Sequence, residues 1–262
     1  MSWVEVADGV LVRRYGELDL SVGLVVGARC ALVVDTRGDH RQGAELARAV
    51  RAVTSAPWQV VLTHGHFDHC FGTSAFLPAA VWAHERCPAH LAATAGAQRQ
   101  RWVEHYRVRD PETARALAES GPGEPDHLVG EPVELDLGDR AVRLLHPGPG
   151  HTDHDLVVQI PDAATVFAGD LVEQGGPPDF EDGHPLHWPT ALDAVLALDP
   201  EIIVPGHGEP VGPDFARAQR AELARLAELC AEHRAGRLTE CETVRESPFP
   251  AETTRTALLR SA

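Results

Sequence analysis

The chain has 262 residues, 44% of them hydrophobic, which is enough for a sizeable core in one α/β domain. Its 23 basic and 39 acidic residues give a formal charge of −16, which disfavours a nucleic-acid or anionic-membrane surface. There is no Lys and no Asn, so Lys-nucleophile and Schiff-base mechanisms and N-glycosylation are excluded.

Met1-Ser2-Trp3-Val4-Glu5 carries neither a basic region nor an apolar signal core. No apolar run approaches the ~20 residues of a membrane span. The five cysteines, Cys30, Cys70, Cys87, Cys230 and Cys241, are odd in number and unpatterned. Reduced thiols and a cytoplasmic location are therefore expected. Val10-Leu11-Val12, Leu24-Val25-Val26 and Ala31-Leu32-Val33-Val34 read as strands of a meander split by glycines. Asp35-Thr36-Arg37-Gly38 ends it, with Asp35 as a turn-former or as a group orienting a ligand. Residues 40–54 show helical spacing of Leu46, Ala47 and Val50. Helix then strand, repeated, argues for a layered α/β domain.

Val60-Val61-Leu62 is a short buried strand that runs into Thr63-His64-Gly65-His66-Phe67-Asp68-His69-Cys70. His64, His66, Asp68 and His69 are four metal-ligand candidates within six residues, of the types that suit zinc and its first-row neighbours. The spacing is not helical, because residues i and i+2 do not face each other on a helix. A turn at Gly65 can bring His64 and His66 to one point, and Asp68 can cap a helix starting near His69. Cys70 reads as a small buried hydrophobe behind the site.

After Val81-Trp82-Ala83 the strand rhythm breaks over residues 84–130. Trp102 and Tyr106 stand one helical turn apart, and Asp110-Pro111-Glu112 is an N-cap, N1 and first-turn acid. The segment is expected to be a helical insertion covering the site, with Trp102 and Tyr106 as candidate substrate contacts. Val133-Glu134-Leu135 and Val142-Arg143-Leu144 alternate as a half-buried pair. Gly148-Pro149-Gly150 then delivers His151, and the strand Thr165-Val166-Phe167 ends at Asp170. An irregular segment to Pro189 carries His184 and His187, two further candidate substrate contacts. Ile202-Ile203-Val204 leads to His207. A last long helix, expected to be capped by Asp214, carries Leu223, Leu226 and Cys230 on one face and ends at Gly236. Residues 237–262 are polar, contain Pro248 and Pro250, and read as a loosely attached tail.

The order His64-x-His66-x-Asp68-His69, Gly150-His151-Thr152, Gly169-Asp170 and Pro205-Gly206-His207-Gly208 resembles the metallo-β-lactamase superfamily. With the Asp35 turn, five motifs follow in sequence over residues 35–208. The resemblance implies a four-layer αββα sandwich over residues 1–236, with the 84–130 insertion as a lid. It also implies two divalent ions, zinc in the first place, with iron or manganese as substitutes. Carried over residue by residue, His64, His66 and His151 hold one ion and Asp68, His69 and His207 the other, with Asp170 bridging. Asp68 would also serve as acid–base catalyst. The family's true β-lactamases carry Cys or Ser where Asp170 stands. The chain is therefore more similar to the glyoxalase II-like and lactonase-like branch, and a binuclear hydrolase of a small ester, thioester or lactone is expected. Glyoxalase II grips glutathione with basic C-terminal residues; here Arg217, Arg220 and Arg225 occupy the last long helix. The alternatives are a mononuclear iron persulfide dioxygenase and a non-catalytic metal-binding module. A small-molecule substrate is the expected partner, with homodimerisation open and with neither nucleic acid nor membrane.

Overall fold

The computed structural model describes residues 2–261. A seven-stranded sheet runs in chain order through β1 (Val4–Ala7), β2 (Val10–Arg14), β3 (Ser21–Val26), β4 (Ala31–Val34), β5 (Trp58–Val61), β6 (Val81–His84) and β7 (His127–Val129). The first four strands pair antiparallel, and β4 to β7 pair parallel. Parallel neighbours need crossovers, here helices α1 (His40–Val53), α2 (Phe67–Cys70), α3 (Cys87–Arg109) and α4 (Pro111–Glu119).

The second sheet has five strands: β8 (Val133–Asp136), β9 (Ala141–Leu145), β10 (Val157–Ile160), β11 (Thr165–Glu173) and β12 (Ile202–His207). They lie in the order β12-β11-β10-β9-β8, with only β11 and β12 parallel. Helices α5 (Trp188–Leu196), α6 (Pro213–Arg234), α7 (Glu240–Glu246) and α8 (Ala251–Arg260) complete the chain.

The burial pattern of the strands produces the layers. In β4, Leu32 and Val34 face the core between the sheets, while Ala31 and Val33 face the helices. Both faces of this strand are apolar because both are covered. Val61, Leu144, Val158, Phe167 and Val204 fill the space between the sheets. Leu46, Val50 and Leu117 cover the first sheet from outside; Leu192, Leu223 and Leu226 cover the second. The result is the expected helix–sheet–sheet–helix sandwich.

Local signals hold in some places and fail in others. Asp110 caps α4 by accepting from the Glu112 and Thr113 amides, and Gly236 takes the left-handed conformation after α6 at φ +70°. Asp214 does not cap α6; Gly212 holds that position and Asp214 sits in the first turn. Asp68 is no cap either. The single turn α2 starts two residues earlier, with His66 at its N-cap. This leaves the Asp68 carboxylate free to face the neighbouring ligand candidates. The 84–130 segment is mainly helical, but its end returns to the first sheet as β7. Residues 237–261 are not a loose tail. Thr239 and Glu242 form a capping box at α7, and Phe249, Ala257 and Leu258 join the core of the second sheet. Burial of these three side chains holds the segment down, despite its polar composition.

Candidate metal centre

Six of the seven expected ligands stand at or beyond a strand end, and Asp170 lies inside a strand. His64, His66, Asp68 and His69 follow β5, and Asp68 and His69 ride on α2. His151 comes from the β9–β10 connection. Asp170 lies within β11, whose register shifts on both sides of Gly169. Such bulges re-aim side chains beside functional sites. His207 is the last residue of β12. Gly206 allows this strand to pass Asp170, because a Cβ there would lie 1.8 Å from Asp170 Oδ1.

The seven side chains form two groups. His64, His66, His151 and Asp170 each offer an atom within 4.8 Å of the others, and Asp68, His69 and His207 do the same. His66 Nδ1 is 2.9 Å from His151 Nε2. Asp170 Oδ2 lies 3.7 Å from His64 Nε2 and 3.5 Å from His151 Nε2. In the other group, His69 Nε2 and His207 Nε2 are 3.3 Å apart, and Asp68 Oδ2 lies 3.4 Å from His207 Nε2. Asp170 reaches this group too, 3.2 Å from His69 Nε2 and 3.3 Å from His207 Nε2. Ligand atoms about 2.0–2.2 Å from one tetrahedral ion stand roughly 3.3–3.6 Å from each other. The observed separations, 2.9 to 3.7 Å, bracket that spacing.

Two buried atoms sharpen the fit. His64 Nε2 and Asp170 Oδ1 have no hydrogen-bond partner. Orphaned buried polar atoms are costly, and these two point into the cluster. Imidazole nitrogens and carboxylates suit zinc and its first-row neighbours.

The rings are held by their other nitrogens. His64 Nδ1 donates to Thr63 Oγ1 at 3.0 Å, His69 Nδ1 to Asp35 Oδ2 at 2.8 Å, and His207 Nδ1 to the Leu18 carbonyl at 2.8 Å. His151 Nδ1 donates to the Asp179 carbonyl at 3.2 Å, and His66 Nε2 to Asp182 Oδ2 at 3.0 Å. These bonds dictate which nitrogen is free to ligate: Nδ1 of His66 and Nε2 of the other four. Asp35 thus combines both roles read from the sequence, a left-handed turn residue at φ +66° and an orienting carboxylate. Arg37 instead stacks on Tyr15, 3.6 Å from its ring centre, and pairs with Glu45.

Burial lowers the His64 imidazole well below its ordinary range and takes His151 down to about 3, so both are neutral and keep a lone pair. Burial opposes charge on Asp170, but His69, His207 and His64 hold its carboxylate well below the usual range. Burial also opposes protonation of His207, which Asp170 and Asp68 nevertheless raise to about 10.

A cavity of about 390 Å³ opens above Asp68, Asp170 and His207. Trp102 lines it, stacked on Phe67 at 4.3 Å. Tyr106 does not; it is buried beneath, with its hydroxyl bonded to Glu17. His184 and His187 do not line it either. Residues of the Glu173–Asp182 stretch line the cavity, whereas His187 is the N-cap of α5. The α6 arginines form no anion grip: Arg217 pairs with Asp214, Arg220 with Asp193, and Arg225 with Glu246.

Sequence reasoning missed His90 and Asp182, which form a third cluster with His66. His90 is a lone histidine within α3 and carries no local signal. Asp182 belongs to Asp179-Phe180-Glu181-Asp182, whose three acids in four residues could have been noticed.

A sequence profile described as the metallo-beta-lactamase superfamily matches residues 15–207. The chain is 33% identical over 202 residues to a hydroxyacylglutathione hydrolase of Acidiphilium cryptum (strain JF-5), covering 70% of each chain. It is 26% identical over 201 residues to a metallo-beta-lactamase type 2 of Bacillus cereus, covering 74% of this chain and 69% of the other. The structure of a metallo-beta-lactamase from Pontibacter korlensis superposes with a TM-score of 0.67 at 19% identity. That match covers 85% of this chain and 98% of the other.

Proposed function

The chain belongs to the metallo-β-lactamase superfamily, and we propose that it is a binuclear metal-dependent hydrolase of small esters, thioesters or lactones. The observation that carries this reading is the pair of convergent donor sets joined by Asp170. His64, His66 and His151 would hold one ion and Asp68, His69 and His207 the other, with Asp170 facing both. Zinc suits these donors first. Two bound divalent ions would supply a water of lowered pKa and a polarising charge for the acyl carbonyl.

The side chains do the rest. Asp68 lines the cavity beside His207, so its carboxylate can accept the proton of the attacking water. The water oxygen bonds to the acyl carbon, the carbon–oxygen or carbon–sulfur bond breaks, and Asp68 returns the proton to the leaving group. Trp102 and Phe67 wall the apolar side of the cavity. The 33% identity to a hydroxyacylglutathione hydrolase supports acyl hydrolysis. The second donor set weighs against a mononuclear iron oxygenase, which would leave Asp68, His69 and His207 without an ion.

Elemental analysis of the protein with bound metal tests the reading. Close to two equivalents per chain are expected. Asp170→Ala should weaken both ions, whereas His207→Ala should empty mainly one. Turnover of an ester, thioester and lactone panel should need no O₂ and should place solvent ¹⁸O in the acid. Asp68→Asn should lower kcat by ~10²–10⁴-fold with little change in folding. One equivalent under metal excess, or O₂ consumed with a persulfide, would overturn it.

A further inference from the structure

The ligand loop leaves its sheet before it reaches α2, so its backbone groups need partners other than a neighbouring strand. β5 ends at Val61. Beyond it, the Thr63 amide donates to Asp35 Oδ1 at 2.8 Å, and the Thr63 carbonyl accepts from the Leu156 amide at 2.7 Å. The peptide groups that follow are held by side chains. The Gly65 amide donates to His154 Nε2 at 3.1 Å, and the Gly65 carbonyl accepts from Gln98 Nε2 at 3.0 Å. Gln98 Oε1 also accepts from the Phe67 amide at 2.8 Å. Gly65 stands between His64 and His66. Both of its polar groups are thus held from outside the loop, one from the β9–β10 connection and one from α3.

The two side chains are themselves fixed. A neutral imidazole that accepts a backbone N–H carries its own proton on the other nitrogen. His154 Nδ1 donates to Asp153 Oδ1 at 2.8 Å, which selects that tautomer. His154 is 1% exposed, so water does not compete for Nε2. Its ring packs on His90, centres 4.4 Å apart. Gly65 is boxed in by both rings: a Cβ there would lie 2.8 Å from His90 Cδ2 and 3.0 Å from His154 Nε2. Gln98 Nε2 donates to Thr94 Oγ1 at 3.0 Å as well, one turn earlier on α3. This orients its carboxamide, with nitrogen toward the Gly65 carbonyl and oxygen toward the Phe67 amide. His154 follows His151 by three residues, so its ring ties the loop of His151 to the loop of His64 and His66. Those three imidazoles belong to one donor set.

We propose that His154 and Gln98 are positioning residues of the metal centre, which hold the Gly65 peptide and thereby set His64 and His66 against His151. The proposal rests on the reading of these three imidazoles as donors to one ion. His154 acts on that ion alone. Gln98 also holds the first turn of α2, which carries Asp68 and His69, and so acts on both ions.

The test is chelator competition on the metal-loaded protein, with His151→Ala and His207→Ala marking which release step belongs to which ion. His154→Leu fills the space without an acceptor and should weaken the ion marked by His151 ~10–100-fold, leaving the other in place. His154→Gln offers an amide oxygen to the Gly65 amide and should restore most of that affinity. Gln98→Met keeps the side-chain length but neither bond, and should weaken both ions. Nuclear magnetic resonance of the metal-free natural protein gives a second readout. The ¹⁵N shifts of His154 should show a protonated Nδ1 and a bare Nε2, and the Gly65 amide should exchange slowly with solvent. Equal loss in the Leu and Gln variants would reduce His154 to packing and overturn the proposal. Unchanged affinity in both, or a protonated Nε2, would overturn it too. A natural protein that takes up one ion defeats the binuclear reading; the positioning role stands if that ion follows the same order of variants. Uptake of no metal would overturn both.

Discussion

His69 Nδ1 stands 2.8 Å from Asp35 Oδ2, with the two side chains 0% and 1% exposed. Asp35 also accepts from the Thr63 amide and hydroxyl, each at 2.8 Å. One carboxylate therefore binds the turn after β4, the start of the ligand loop and a candidate ligand. Asp35→Asn keeps the shape and tolerates the left-handed backbone, but an amide NH₂ at either oxygen position would meet a donor. Metal affinity should fall ~10–100-fold, mainly at the Asp68, His69 and His207 group, as read by chelator competition. Unchanged affinity would leave Asp35 as a turn residue alone.

Trp102 and Tyr106 lie one turn apart on α3, with ring centres 5.9 Å apart, yet only Trp102 reaches the cavity. Tyr106→Ala should cost ~3–5 kcal/mol of stability, in the range of large aromatic truncations, and leave substrate preference alone. Trp102→Ala should instead change the ratio of kcat/KM between substrates, with metal content intact. Denaturant melts and a two-substrate assay separate the two outcomes. A selectivity change in the Tyr106 variant would overturn the division of roles.

His84 is buried against His146, ring centres 4.3 Å apart. Burial, then His146 and Arg86, push its imidazole down to about 4 from the ordinary 6.5. Between these values the unfolded chain takes up a proton that the folded chain refuses. The contribution of His84 is therefore fully present above pH 6.5 and is lost as pH falls toward about 4. Relative to His84→Gln, the natural protein should lose stability over that window, by at most about 1.4 kcal/mol per pH unit. Denaturant midpoints measured against pH give the difference, in which the titrations of groups remote from His84 cancel. Parallel curves would remove His84 as the cause.

Ending the chain at Gly236 would strip Phe249, Ala257 and Leu258 from the core of the second sheet. It would also remove the Arg260 bond to Gly183 and the Phe249 contact with Phe180, ring centres 6.4 Å apart. Stability should fall by about 3–6 kcal/mol for the apolar burial alone, and a hydrophobic dye should bind the uncovered face of α6. A truncated protein with an unshifted melt would return residues 237–262 to the status of a tail.

The sequence by itself determined the ligand-bearing strands of the sandwich and the donor types. Apolar β-branched runs marked β4, β5, β11 and β12, because a strand buried on both faces shows it in every residue. The His64–His69 motif declared its chemistry within six positions. The C-terminal helices were missed because few apolar side chains anchor them, so composition there reads as solvent-exposed. Only the tertiary structure decided that His151, Asp170 and His207 reach the same point as the His64 loop. That convergence depends on strand order, on the bulge around Gly169 and on the close pass at Gly206. The tertiary structure likewise selected the free nitrogen of each imidazole, separated Trp102 from Tyr106, and turned Asp179-Phe180-Glu181-Asp182 into the acidic wall of a cavity. The division has one physical cause. Periodicity and ligand type are local properties of a chain, whereas distances between remote side chains are set by the register and packing of two sheets.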